Sequence, residues 1–285
     1  MNKKKVAFFT MDVESYYDTS CVKEKCPPLD SAFTCAEEIQ SFTKLLEKYG
    51  ARASLFLTVD FLPYCLPYLK EARVKGHQID LHGYQHLPPL TQDVNEFRND
   101  ISRALAEIHD NFQKKPAGYR APCFGIDQER LQIIKDEGFI FDSSSMEFKT
   151  SRNDGGLDLS DYEKINEVVY SRDGFYEIKP CISKLFGKNF PVSGGGYLRM
   201  APWFLVKRLI RKYLRHSDAY LFYVHPFELS KKKLPLPEGL SFGEKLYINR
   251  GRKSYLRNIE KIIRMLKRKG FSIVTIEDFI RDSKS

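Results

Sequence analysis

Four short stretches of the 285-residue chain carry side chains able to do chemistry together. In the first, Phe8-Phe9-Thr10-Met11-Asp12-Val13-Glu14, an apolar, β-prone run ends in two carboxylates at i, i+2. Alternation along a strand points both acids to one side, and at a buried strand end they need a cation or a shared proton to compensate them. The second is His82-Gly83-Tyr84-Gln85-His86. Two histidines at i, i+4 face the same way on a helical turn and can ligate one metal at about 2.0–2.1 Å. Gly83 separates this motif from the H-E-x-x-H of zinc proteases. The third is Tyr119-Arg120-Ala121-Pro122-Cys123-Phe124-Gly125, where Arg120 suits a buried carboxylate or an anionic substrate. The fourth, Tyr223-Val224-His225-Pro226-Phe227-Glu228, delivers one histidine from a strand. Each motif alone also suits an ordinary role: a solvated acidic loop, structural histidines, a surface arginine before a turn. Their common position carries the weight, because each closes an apolar run, and in α/β barrels the strand C-termini gather at one face.

The elements that must position them alternate in the manner of a parallel-stranded α/β fold. The pattern predicts a helix over Ser31 to Tyr49, with Ile39, Phe42, Leu45 and Leu46 on one face, and a strand over Ala53 to Val59. A helix over Pro67 to Lys75 ends at Gly76, a strand follows over His77 to Leu81, and Thr91 caps a long helix from Gln92 to Phe112. Next come a strand (Gly118 to Ala121), a helix (Asp127 to Glu137) and a strand (Phe139 to Asp142). Residues 143–173 are polar and lose the pattern, which reads as a lid or insertion. Strands over Phe175 to Ile178, Ala219 to Val224 and Phe271 to Ile276 complete the count, with helices over Trp203 to Leu214 and Tyr255 to Lys269. The result is seven or eight βα units in one domain, residues 1–285, with no linker and no repeat.

Composition narrows the partners. With 42% hydrophobic and 29% charged residues the chain can bury a large core, and no apolar run approaches the ~20 residues that span a bilayer. Met-Asn-Lys-Lys-Lys runs directly into the short Val6 strand, unlike a signal peptide, so a cytoplasmic protein is expected. The six cysteines lack a paired C-x-x-C pattern and read as free thiols, with a bridge or metal between Cys21 and Cys26 the less favoured option. The net charge of +9 concentrates in Lys207 to Arg215, Lys231 to Lys233 and Lys261 to Lys269. No nucleic-acid-binding signature accompanies it, so an anionic glycan, a lipid-phosphate headgroup or a membrane surface fits better than nucleic acid. Trp203 to Arg215 sets Leu205, Val206, Leu209, Ile210 and Tyr213 against Lys207, Arg208, Arg211, Lys212 and Arg215. This is the pattern of an outer barrel helix whose cationic face is able to make peripheral contact with the inner membrane leaflet.

Acid-x-acid, H-x-x-x-H, R-x-P and a late His-Pro, in that order and each closing a strand, resemble the polysaccharide deacetylase family from Val6 to about Glu228. Phe139-Ile140-Phe141-Asp142-Ser143-Ser144 and Ser193-Gly194-Gly195-Gly196-Tyr197-Leu198-Arg199 resemble the branch found in bacterial surface-polysaccharide clusters. The resemblance implies a distorted (β/α) barrel of about seven strands and a metal-dependent hydrolase that deacetylates sugars. It implies Asp12 as catalytic base, Arg120 as the arginine that orients it, His82 and His86 as metal ligands and His225 as general acid. It also places an oxyanion donor at the backbone N–H of Cys123. Many members have adjacent aspartates where this chain has Asp12-Val13; Glu14 restores a carboxylate one residue later and is the third expected ligand, for one divalent ion, zinc being the expected one. The chemistry agrees, since an acetamide needs a polarised carbonyl, an activated water and a protonated leaving amine. The expected function is removal of an N-acetyl group from an aminosugar in cell-surface polysaccharide or glycolipid biosynthesis. The rivals are a deformylase of a lipid-phosphate-linked formamido sugar and an inactive barrel that only binds glycan.

Overall fold

The protein is described by a computed structural model over residues 4–23, 34–146, 156–185 and 188–284. Its strands are β1 (Val6–Val13), β2 (Ala53–Leu57), β3 (Gln78–Leu81), β4 (Gly118–Tyr119), β5 (Phe141–Asp142) and β6 (Glu163–Lys164). They continue with β7 (Val169–Arg172), β8 (Phe175–Ile178), β9 (Ile182–Leu185), β10 (Lys188–Pro191), β11 (Ala219–Val224) and β12 (Ser272–Ile273). All eight residues of β1 are buried, as expected of a strand covered on both faces. Around it the order is β11-β1-β2-β3-β4-β5-β8, all parallel, with β12 also parallel to β1. After β8 the chain turns back onto β11: Leu221 N–H lies 3.1 Å from Cys181 Sγ, and Tyr223 N–H donates to Ser193 O at 2.6 Å. The sheet therefore curls into a half-barrel, the distorted α/β barrel expected.

Helices cover the outside with narrow apolar stripes, such as Ile39, Phe42 and Leu46 in Glu38–Glu47 and Phe97, Ile101, Ala104 and Ile108 in Val94–Phe112. Several boundaries differ from the sequence pattern, each for a local reason. The long helix starts at Val94, not Gln92, because Asp93 accepts from Asn95 N–H at 2.8 Å while Glu96 reaches back to Asp93 N–H. Thr91 ends a short 3-10 turn instead. The helix expected from Pro67 begins at Leu62, and its buried stripe of Leu62, Cys65, Leu69 and Ala72 runs straight past Pro67. The last strand stops at Ile273; Thr275 Oγ1 accepts from Asp278 N–H and Ile276 opens a helix to Lys284. Residues 163–172, expected in a lid or insertion, carry β6 and β7, which extend the sheet antiparallel beyond β8. Both β6 residues are exposed and β7 is mostly half-buried, so no apolar alternation marks them. Residues 147–155 of that stretch lie outside the described residues, as do residues 24–33 with Cys26. Cys35, Cys65, Cys123 and Cys181 are free thiols. No helix among the described residues is long and apolar enough to cross a membrane.

Candidate active site and metal centre

Parallel register sets the height at which each functional side chain emerges. Val13, Leu57, Leu81, Tyr119, Asp142 and Glu177 form one row across the sheet. The next residues along the chain, Glu14, Thr58, His82, Arg120 and Ser143, sit one step beyond it. Backbone bonds hold that step: Thr58 N–H to Val13 O (3.1 Å), His82 N–H to Leu57 O (2.7 Å), Arg120 N–H to Leu81 O (2.9 Å) and Ser143 N–H to Tyr119 O (2.9 Å). On the other flank Met11 pairs with Val224, which brings Asp12 level with His225. Four motifs far apart in sequence thus meet at one end of the sheet, as the sequence analysis expected.

Arg120 is fully buried and spends its guanidinium on this level. Nη1 donates to Asp12 Oδ1 at 2.5 Å and to Thr10 Oγ1 at 3.0 Å, Nη2 donates to Ser143 Oγ at 2.9 Å, and the plane lies 4.0 Å above the Phe56 ring. Asp12 is therefore held by one oxygen, and its other oxygen, Oδ2, lies 3.8 Å from His225 Nε2.

Glu14, His82 and His86 form the group able to hold a metal ion; their ligand atoms lie within 4.8 Å of one another and all three residues are buried. Glu14 Oε2 lies 2.7 Å from His86 Nε2 and 3.5 Å from His82 Nε2. The histidines do not converge on a helical turn. Residues 82–86 are irregular, and Gly83 (φ +81°) and His86 (φ +49°) take left-handed conformations that fold the chain back. His82 Nδ1 sits 2.7 Å from Arg120 O, which can only accept. The proton is thereby placed on Nδ1, and the Nε2 lone pair is left facing Glu14, as a ligand histidine requires. A carboxylate and two imidazoles so arranged fit a divalent cation. Burial opposes charge on Glu14, yet the neighbouring charges of His86 and His225 hold its carboxyl well below the usual range. Burial likewise works against the His86 imidazolium, but Glu14 outweighs it and raises His86.

His225 ends β11 and caps a short helix, Pro226–Leu229. Its Nδ1 lies 3.0 Å from Glu228 Oε2, and Glu228 Oε1 accepts from Arg199 Nε at 2.8 Å. Arg199 and Glu228 side chains are both completely buried, and Arg199 also donates to Tyr247 O and Arg250 O. Burial disfavours the His225 imidazolium, but Glu14 and the bond to Glu228 prevail and push it up to about 9. Against the cost of its own burial, Glu228 is held below the usual carboxylate range by His225 and Arg199. The Gly194-Gly195 turn makes room for this arrangement: a Cβ on Gly194 (φ +127°) would stand 2.0 Å from Tyr223 O.

These groups open on a cavity of about 90 Å³, walled by Cys123, Phe124, Phe227 and Tyr247 beside Asp12, Glu14, both histidines and His225. That is the space of about three waters, enough for a small acyl group and too small for a sugar ring. Cys123 (φ +58°) and Phe124 (φ +59°) both take the left-handed conformation. Such a turn is uncommon for these residues, and it spends the Phe124 N–H on Ala121 O at 2.9 Å. Glu228 and Arg199 lie within motifs that by themselves suggest no role for either. Glu228 was findable, since His-Pro-x-Glu is a helix-capping spacing that returns a carboxylate to the histidine. Arg199, Ser143 and Tyr247 had no such signal, because only the fold brings them close.

The fold is a curled α/β half-barrel with a buried acid–histidine group at its strand ends. Residues 25–141 match the family model for polysaccharide deacetylase, and residues 144–278 match a second model described as a domain of unknown function. The chain is 26% identical over 108 residues to a peptidoglycan deacetylase of Helicobacter pylori, covering 38% of this chain and 37% of that protein. It is 29% identical over 93 residues to a peptidoglycan deacetylase-like protein of Gibberella zeae, covering 31% of this chain and 28% of that one. The chain thus aligns with well under half the length of these curated relatives. Among solved structures, a CE4 family pseudoenzyme from Bacillus anthracis superposes with a TM-score of 0.57 at 13% identity, covering 98% of this chain and 66% of that one. A family 4 carbohydrate esterase from Streptomyces lividans, in complex with acetate, gives 0.53 at 13%, covering 94% and 91%. At such identities the likeness is one of fold, and activity has to be argued from the residues. Asp12 and Glu14 precede the deacetylase match, while Arg199, His225 and Glu228 lie in the domain of unknown function.

Proposed function

We propose that the protein is a metal-dependent carbohydrate N-deacetylase that hydrolyses the acetamide of an aminosugar in cell-surface polysaccharide or glycolipid biosynthesis. One observation supports this most: Asp12, fixed by Arg120, and His225, fixed by Glu228, meet the Glu14–His82–His86 group in one acyl-sized cavity. A divalent cation held by Glu14, His82 and His86, zinc by the donor set, would supply polarisation of the acyl carbonyl and acidification of water. Asp12 takes a proton from the attacking water as its oxygen bonds to the acyl carbon. The backbone N–H of Cys123 serves the developing oxyanion. His225 gives its Nε2 proton to the amide nitrogen as the C–N bond breaks, releasing acetate and a free amine. With Nδ1 bonded to Glu228, Nε2 is the nitrogen that faces the reaction, and the Glu228 charge favours its protonated form. The sugar ring stays at the mouth, against Phe227 and Tyr247.

The test is acetate and formate release by the purified chain from N-acetylated and N-formylated sugars, free and carried on lipid phosphate. Acetate release that a chelator abolishes and added zinc restores supports the reading. Formate release alone would transfer it to a deformylase. Glycan binding with no release of either acid would make the chain a binding barrel.

A further inference from the structure

The net positive charge of this chain comes from two segments. Residues 203–215 and 252–269 together hold thirteen Lys and Arg against one acid, Glu260, so the rest of the chain is net acidic although the whole carries +9. The two segments form the neighbouring outer helices Trp203–Tyr213 and Arg252–Arg268. Their inner faces are committed to the core through Val206, Leu209 and Ile210 on one and Ile259, Ile262, Ile263 and Leu266 on the other. Between their outer flanks runs an open groove of about 350 Å³, lined by Lys207, Arg211, Lys261, Arg264, Arg268 and Lys269, with Trp203 and Met265 in its wall. Lys261 Nζ lies 4.8 Å from the Trp203 ring. Of these six cations Arg264 alone has a carboxylate partner among the described residues, Glu260 at 3.0 Å. Five like charges facing one concavity repel one another unless anions enter it. Beside the groove Phe204 projects 75% exposed, on the same outward side as Arg208, Arg211 and Arg215.

We propose that this face docks on an anionic phospholipid surface, with headgroup phosphates in the groove between the two helices and Phe204 inserted among the acyl chains. Charge complementarity selects a phosphate-bearing partner, and the exposed aromatic ring among the cations selects a bilayer over a soluble anion. The helix Arg252–Arg268 starts at the catalytic end of the barrel, where Arg252 donates to Ser230 O at 2.9 Å. Its groove-lining part, Lys261 to Lys269, runs on to Ser272, which pairs with Val6 at the opposite end of β1 from Asp12, so docking there leaves the active-site mouth uncovered. The inference extends the glycolipid part of the proposed function, but its test does not depend on catalysis.

The full chain is sedimented with vesicles of phosphatidylcholine and with vesicles of equal parts phosphatidylcholine and phosphatidylglycerol. Binding to the second and not the first is expected, weakening as salt is raised. Lys207→Gln with Arg211→Gln should weaken binding roughly 25-fold, about fivefold for each charge removed. Phe204→Ser should weaken it with the salt dependence unchanged. Melting temperature and acyl release from a soluble substrate serve as folding controls, since none of the three residues lines the catalytic cavity. Equal binding to both vesicle types, or none, overturns the proposal. So does an unaffected Phe204→Ser together with release from vesicles by inorganic pyrophosphate, which would make the groove a site for a soluble anion. Binding to an oligonucleotide in preference to anionic vesicles overturns it in favour of nucleic acid.

Discussion

Arg120 Nη1 lies 2.5 Å from Asp12 Oδ1, and both side chains are cut off from solvent. A buried pair of this kind leaves a large uncompensated cost when one partner is removed, about 3–5 kcal/mol. Its geometry also divides the carboxylate, with one oxygen on Arg120 and the other 3.8 Å from His225 Nε2. Arg120→Lys keeps the charge but loses the fork that also holds Thr10 and Ser143. Turnover should fall by about 10- to 100-fold with the chain still folded, since a base displaced by an ångström loses that much. Melting curves and steady-state rates measured on one preparation check both halves; wild-type turnover would show that Asp12 needs no such support.

The ligand group predicts a different phenotype. Wild-type protein should take up about one divalent ion per chain, and His82→Ala should lose most of it. Glu14→Ala should weaken it as well. Elemental analysis after dialysis reads this directly, without any assay. Equal metal content in wild type and His82→Ala would remove His82 from the centre, and full retention in Glu14→Ala would give the third position to another group.

Glu228 should control the pH profile rather than substrate affinity. Glu228→Gln keeps the shape and a hydrogen bond to Arg199 while removing the charge that helps raise His225 toward about 9. The expected outcome is an alkaline limb of kcat shifted to lower pH, with kcat reduced about 10-fold or more and KM little changed. An unshifted limb would leave Glu228 a structural role only. Bound cation on Glu14 would lower the wild-type limb below 9 too, so the comparison is between variant and wild type in the same metal state.

A second acidic pair, outside the cavity, predicts how stability depends on pH. Asp142 and Glu177 face each other across β5 and β8, fully buried, and neither has an ion-pair partner among the described residues. Burial and then the neighbouring Asp142 charge push Glu177 well above the carboxylate range. Burial also raises Asp142, against the donors Ser144 Oγ and Ser144 N–H. A folded value above the unfolded one means that the folded chain holds the proton more tightly. The stabilisation is full below the unfolded value and is lost as pH rises through the folded one. Melting temperature should therefore fall as pH rises above the ordinary carboxylate range, and Glu177→Gln should flatten that fall. An unchanged or steeper decline in the variant would mean that Glu177 is ionised in the native protein.

The strand ends and the residues that close them are legible because β1, β2 and β11 are predominantly apolar and the chemistry lies at or just past the end of each. The gathering of Asp12, Glu14, His82, Arg120 and His225 follows from the rule that parallel strands expose their C-termini together, while their separate roles come from the family resemblance. What escaped depended on contacts between distant segments. The convergence of His82 and His86 looks helical by spacing, yet two left-handed residues produce it. Arg199 reads as one more basic residue until the glycine turn sets it beneath Glu228. β6, β7, β9 and β10 escape a sequence reading because such short strands carry no clear apolar period. The cap of the long helix was misplaced by two residues because Thr91 and Asp93 are both capping types, and only Asp93 has Glu96 three positions on.

The division of work between Asp12 and Glu14 is the centre of the account, and one paired measurement tests it: metal content and turnover of Asp12→Asn. The substitution keeps size and most hydrogen bonding but removes the basic oxygen. If Asp12 is the base and Glu14 a ligand, turnover falls by about 10²–10⁴-fold while metal content stays at the wild-type level. An emptied metal site would instead make Asp12 a ligand and Glu14 the candidate base, and retention of most turnover would contradict the base assignment outright.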